Sequence, residues 1–190
     1  MGDESARAHA EHLELADSAE ALLPRVDEVG RLLVDTFAAG RRVFTFGNGG
    51  SSLDANHLAE ELVGRYKRER RPLPAQSLSV DAAALTCIAN DYSFAEVFER
   101  QVRAFVAAGD VAIAFSTSGR SENVVRGLAA AQEAGATTVL FGGGEDGGPA
   151  AAHADHALVV PSSSTARIQE LHVLFLHLVI EHVDAWAAGE

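Results

Sequence analysis

Val43-Phe44-Thr45-Phe46-Gly47-Asn48-Gly49-Gly50-Ser51-Ser52 joins a short β-branched and aromatic run to a glycine and serine cluster, with a helical pattern from about Leu53 or Asp54. Such a run closed by glycines reads as a buried strand that turns into a helix. The pattern repeats downstream. Ala75-Gln76-Ser77-Leu78, Val111-Ala112-Ile113-Ala114-Phe115, Thr137-Thr138-Val139-Leu140-Phe141 and Ala157-Leu158-Val159-Val160 are four more such runs, separated by helical segments. Five strands alternating with helices predict an α/β fold: a three-layer αβα sandwich on a five-stranded parallel sheet. Ligands in such folds bind in the crevice at the carboxyl ends of the strands, so site residues should follow the strands. The final segment, 165 to about 187, reads as one long helix, with Pro161 and Ser162-Ser163-Ser164 leading in.

Upstream of the first strand, residues 3 to 38 read as two helices, with Pro24 near the start of the second. The chain has 190 residues and 47% hydrophobic positions, enough for one substantial core, whereas two domains would each be small. One domain over 1–190 is expected, with N-terminal helices over 1–40 and the α/β core over 41–190. Fifteen Lys and Arg stand against 27 Asp and Glu, and the resulting charge of -12 repels nucleic-acid phosphates and anionic membranes. Neither nucleic acid nor a membrane is an expected partner. The single cysteine, Cys87, excludes an internal disulfide; its setting, Ala84-Leu85-Thr86-Cys87-Ile88, reads as that of a buried structural thiol, and a reducing cytoplasm fits.

The opening Met1-Gly2-Asp3-Glu4-Ser5-Ala6 lacks the basic-then-apolar order of a secretory signal. The apolar stretch at 173–180 is interrupted by His177 and falls short of the ~20 residues a membrane span needs. Two further segments read as loops. Arg65-Tyr66-Lys67-Arg68-Glu69-Arg70-Arg71 is a basic cluster in an acidic chain and is expected to be solvated, while Gly142-Gly143-Gly144-Glu145-Asp146-Gly147-Gly148 is read as a turn whose acids would oppose a phosphate.

Two other loops suit an anion. Gly47-Asn48-Gly49-Gly50-Ser51-Ser52 permits close backbone approach beside the free amides of a helix N-terminus. Ser116-Thr117-Ser118-Gly119-Arg120-Ser121 adds four hydroxyls at the start of another helix. Without a Walker lysine or a GxGxxG spacing, these loops fit a small phosphate monoester better than a nucleoside triphosphate or a dinucleotide.

His57 and Glu61, four residues apart, share one helix face. That spacing equally describes an ordinary surface pair. Gln169 and His177 lie about two turns apart on the last helix, flanked by Arg167 and Glu170. Together the four offer two imidazoles, a carboxylate and an amide oxygen, a plausible tetrahedral set for zinc, although the lack of a thiolate leaves other divalent ions open. His9, His12, His153, His156, His172 and His182 show no such pairing and are read as surface or packing residues.

Taken together, Gly-Asn-Gly-Gly-Ser at 47–51, the run from Asp54 through Glu61, Ala89-Asn90-Asp91, Ser116-Thr117-Ser118-Gly119 with Ser121, and Arg167-Ile168-Gln169-Glu170-Leu171-His172 resemble the phosphoheptose isomerases of the sugar isomerase (SIS) family over nearly the whole chain. The resemblance implies a doubly wound parallel sheet and a homotetramer with active sites near subunit boundaries, which would give the N-terminal helices a part in assembly. It also implies substrate contacts from Asn48, Gly49, Gly50, Ser51, Glu61, Asn90, Asp91, Ser116, Thr117, Ser118, Ser121 and Gln169. A zinc ion, one per subunit, would be held by His57, Glu61, Gln169 and His177. The implied reaction takes sedoheptulose 7-phosphate to D-glycero-D-manno-heptose 7-phosphate, with Glu61 and His177 as acid-base groups.

Some relatives carry an acid directly before the Arg-Ile-Gln-Glu string, where this chain has Ala166. That departure bears on which sugar is taken, and an isomerase supplying a heptose for a secondary metabolite is one alternative. Another is a non-catalytic SIS protein that binds a replication-initiator partner; the presence of His57, Glu61 and His177 argues against it. A third is an SIS enzyme acting on an amino-sugar phosphate, a class that does not normally use this His-Glu-Gln-His set.

Overall fold

The computed structural model describes residues 3–189; Met1, Gly2 and Glu190, which the N-terminal reading and the 1–190 span include, lie outside them. In chain order the elements are α1 (Glu4–Ser18), a 3-10 turn (Ala19–Leu22), α2 (Leu23–Ala38), β1 (Val43–Gly47), α3 (Gly50–Val63), β2 (Ala75–Ser77) and α4 (Ala82–Asp91). After a second 3-10 turn (Phe94–Glu96) come α5 (Glu99–Phe105), β3 (Val111–Ser116), α6 (Glu122–Glu133), β4 (Thr137–Gly143), α7 (Gly148–Ala151), β5 (His156–Val160) and α8 (Thr165–Ala187). All five expected strands form, the two N-terminal helices form, and α8 has the expected bounds. Helix α3 begins at Gly50, three residues earlier than its apolar pattern suggested, because Gly50, Ser51 and Ser52 make its first turn after the non-helical Gly49.

The strands pair in parallel in the order β2-β1-β3-β4-β5, with Gly47 opposite Phe115 and Ser116 opposite Gly142. The chain leaves β1 for β2 on one side and later returns to β3 on the other. The crevice between β1 and β3 is therefore the switch point where loops diverge and a ligand can enter.

Alternation along each strand sends side chains to two cores. Val43, Val111, Ile113, Phe115, Val139 and Phe141 join α2, α3 and α8 on one face. Phe44, Phe46, Ala112, Ala114 and Leu140 join α5 and α6 on the other. Every residue of β3 is buried, as a central strand covered on both faces must be. Helix α8 packs deeply, with Phe175, Leu176, Val179 and Ile180 fully buried. Its His172 is buried too. Nε2 lies 2.9 Å from the Gly142 carbonyl, and the ring meets Phe115 and Phe141 edge-on, tying α8 to the end of β4.

Two expectations are corrected. Cys87 is exposed, because α4 turns Ile88, with the half-buried Leu85 and Ala89, against the core and leaves Cys87 on its solvent side. The basic cluster is not simply solvated: the Arg70 side chain has no exposed surface and pairs with the equally buried Asp184 of α8 at 3.6 Å. Arg70 also donates to the Leu62 carbonyl at 2.9 Å, and Arg68 reaches Asp184 at 3.3 Å. The glycine-rich segment does turn, but Gly142 and Gly143 belong to β4. No helix of the described residues is long and apolar enough to cross a membrane.

Candidate active site and metal centre

The loops after β1 and β3 stand side by side because their strands are neighbours. Asn48 and Asn123 lock them together through reciprocal amide hydrogen bonds of 2.8 and 2.9 Å. Ser79, just past β2, stitches the third edge by donating to the Gly47 carbonyl at 3.0 Å and accepting from its amide at 3.1 Å. In the serine loop, Ser116 Oγ accepts from the Gly119 amide at 3.0 Å and Ser118 Oγ from the Arg120 amide at 3.2 Å. Ser121 precedes α6 without capping it, which leaves its hydroxyl for a ligand. Gly119 takes a left-handed φ of 60°, and a Cβ there would overlap the Gly147 carbonyl. Only glycine allows that close approach.

A cavity of about 290 Å³ opens between Thr117, Ser118, Gly144 and Ser162. A larger one, about 420 Å³, lies between α1 and the lead-in to α8; each cavity is lined by two acids and an arginine, Glu145, Asp146 and Arg120 in the first and Glu11, Glu14 and Arg167 in the second. What distinguishes the smaller cavity is that it borders the serine loop, through Thr117 and Ser118.

Helices α3 and α8 run alongside each other in the same direction. Gly50, in the first turn of α3, lies so close to the Gln169 amide that a Cβ would collide with it, the amide oxygen standing 3.0 Å away. Farther along, His57 and Glu61 meet His177: one potential ligand atom from each lies within 4.8 Å of the others. His57 Nε2 is 3.3 Å from Glu61 Oε1, and the His57 ring meets that of His177 edge-on, with centroids 4.9 Å apart. The cluster is half-buried, with two imidazoles and one carboxylate on rigid helices, which fits a divalent cation. Gln169 stands about two turns back along α8, with its amide against Gly50.

Burial, reinforced by the neighbouring His57, lowers the pKa of His177, so its imidazole is neutral and its lone pair free near neutral pH. Asp54, one turn before His57, is 7% exposed, and its Oδ2 is buried without a hydrogen-bond partner. Burial raises its carboxyl to about 6, against the pull of His57.

The SIS domain family model matches residues 10–143. The phosphoheptose isomerase of Aquifex aeolicus is 48% identical over 165 residues, covering 87% of this chain and 86% of its own. That of Paramagnetospirillum magneticum is 46% identical over 180 residues, covering 94% and 93%. The structure of phosphoheptose isomerase GmhA from Neisseria gonorrhoeae superposes with a TM-score of 0.90 at 38% identity, covering 97% of this chain and 100% of that one.

The chain belongs to the phosphoheptose isomerases of the SIS family. Within that SIS framework the predicted residues fall into three groups. Asn48, Gly49, Thr117, Ser118 and Ser121 lie in the loops at the switch point, with Gly50 and Ser51 opening α3 and Ser116 closing β3 beside them, while His57, Glu61 and His177 converge beyond. Asn90 and Asp91 end α4, exposed and bonded to each other at 2.7 Å, with no hydrogen bond to either loop among the described residues. Asn123 and Ser79 escaped the sequence reading, and Asp54 and Tyr66 stood in the quoted segments without a role of their own. The first two follow a strand or a loop-opening serine, a position that could have drawn attention to them; Asp54 and Tyr66 carry no such signal.

Proposed function

We propose that the chain is an aldose-ketose isomerase that interconverts sedoheptulose 7-phosphate and D-glycero-D-manno-heptose 7-phosphate. The observation that carries this reading is the convergence of His57, Glu61 and His177 two helical turns from a pair of phosphate-suited loops. The serine loop and the first turn of α3 hold the phosphate through hydroxyls and backbone amides. Asn48, braced by Asn123, and Asn90 with Asp91 take up sugar hydroxyls.

His57, Glu61 and His177, joined by Gln169, would hold one zinc ion per subunit. When bound, the ion would polarise the substrate carbonyl and stabilise negative charge on oxygen. Glu61 carries the proton between C1 and C2, and His177 serves the substrate oxygens as acid and partner base.

One SIS unit over 1–190 assembles as a cytoplasmic homotetramer in this reading, with residues 1–40 contributing to the assembly. Helix α1 supports that role: it buries none of its residues within the chain and leaves Leu13 54% exposed. The test is metal analysis with turnover of sedoheptulose 7-phosphate by the purified protein. Stoichiometric zinc and isomerisation are expected; a metal-free, inactive protein that binds a partner protein would overturn the reading.

A further inference from the structure

The orientation of the His177 ring raises a question that the ligand set does not answer. A metal-binding imidazole ordinarily donates its second N–H to a carboxylate or carbonyl, which fixes the ring. His177 makes no hydrogen bond to any described residue; its ring contacts are with His57 and Tyr66. The Tyr66 ring lies 5.8 Å from it, centroid to centroid, with planes 23° apart, an offset stack. His57 meets it at 82°, so the imidazole is held by one edge contact and one face contact.

Tyr66 is itself anchored. Its hydroxyl lies 3.3 Å from Glu181 Oε1, one helical turn beyond His177, and Lys67 Nζ contacts the same oxygen. Four residues on, Arg70 is buried against Asp184, the next polar residue on α8 after His182. The segment leaving α3 is thus pinned to α8 at two successive points, and Tyr66 is the member whose ring covers the candidate ligand. We infer that Tyr66 is a positioning residue: its aromatic face, rather than its hydroxyl, holds the His177 imidazole toward His57 and Glu61. This rests on His177 being a ligand and proton carrier as proposed above.

The test compares Tyr66→Leu with Tyr66→Phe in the full-length chain, in three measurements. The first is the His177 imidazole signal of metal-free protein in long-range proton-nitrogen spectra. The second is zinc affinity by calorimetry, and the third is kcat and KM for sedoheptulose 7-phosphate. Tyr66→Leu should shift and broaden the His177 signal, weaken zinc binding about tenfold, and lower kcat with little change in KM. Tyr66→Phe should restore all three to near wild type. An unchanged His177 signal in Tyr66→Leu overturns the inference whatever the metal does, and so does a Tyr66→Phe variant as impaired as Tyr66→Leu. A wild-type protein that binds no zinc instead overturns the reading of the metal centre, and the metal-free signal still decides the role of Tyr66.

Discussion

In the proposed mechanism Glu61 carries two demands on one carboxylate. A cation on its oxygen stabilises the charged form and makes it a weaker base, so metal binding and proton transfer compete. Glu61→Gln keeps the shape and an oxygen donor but cannot take a proton. Isomerisation should fall by at least about 100-fold, while calorimetry shows sedoheptulose 7-phosphate binding largely retained; a variant that still turns over removes Glu61 as the base. His172 makes a separate prediction about pH. Burial lowers its pKa from 6.5 to about 4, the bond to Gly142 only partly opposing this. Between those values the unfolded chain binds a proton that the folded chain refuses, so stability falls as pH drops, by about 3 kcal/mol in all. Asp54 works the other way: between 3.8 and about 6 the folded carboxyl keeps its proton, and stability falls as pH rises. Comparing wild type with His172→Leu isolates the histidine. In urea unfolding, wild type should lose about 3 kcal/mol relative to the variant between pH 7 and pH 4, and a constant difference would refute the assignment.

At the scale of elements, the turn between β3 and α6 and the clasp between α8 and the basic loop bear the most strain from substitution. Gly119→Ala adds a left-handed backbone cost of about 1–2 kcal/mol to a collision with the Gly147 carbonyl. Gly40 has a φ of 68° but open space around it, so Gly40→Ala meets only the backbone cost. Thermal unfolding should therefore separate the two, with Gly119→Ala clearly the less stable; equal losses would mean the serine loop can move away. Asp184→Ala strands the buried Arg70 guanidinium and should cost about 3–5 kcal/mol in urea unfolding. Combining Arg70→Met with Asp184→Leu should recover most of that loss, since the penalty lies in the uncompensated charge.

For the whole molecule, zinc and assembly should both register as stability. A ligand that binds only the folded state adds about 2.7 kcal/mol at a hundredfold excess over its Kd. Zinc at that excess should raise the Tm, a chelator should return it to the metal-free value, and a protein indifferent to both would argue against the centre. Removing residues 3–18 tests the other half. Helix α1 has no fully buried residue and meets the core through the half-buried Leu15 and polar contacts to Arg167 and Glu170, so light scattering should show a smaller assembly while the α/β core stays folded.

The sequence by itself determined the layered fold. A parallel sheet covered on both faces needs near-continuous apolar strands, and those runs, with the glycines that end them, are local and readable. It also supplied the donors, since helical spacing alone puts His57 and Glu61 on one face. Only the tertiary structure brought His177 to them, set Tyr66 against His177, and matched Arg70 with Asp184. The basic run around Arg70 looked solvated because the acid that neutralises it lies far along the chain, and the apolar neighbours of Cys87 do pack inward, on a face of α4 that Cys87 itself does not share. Local spacing records which face a residue occupies; which distant element meets that face follows from the order of the strands.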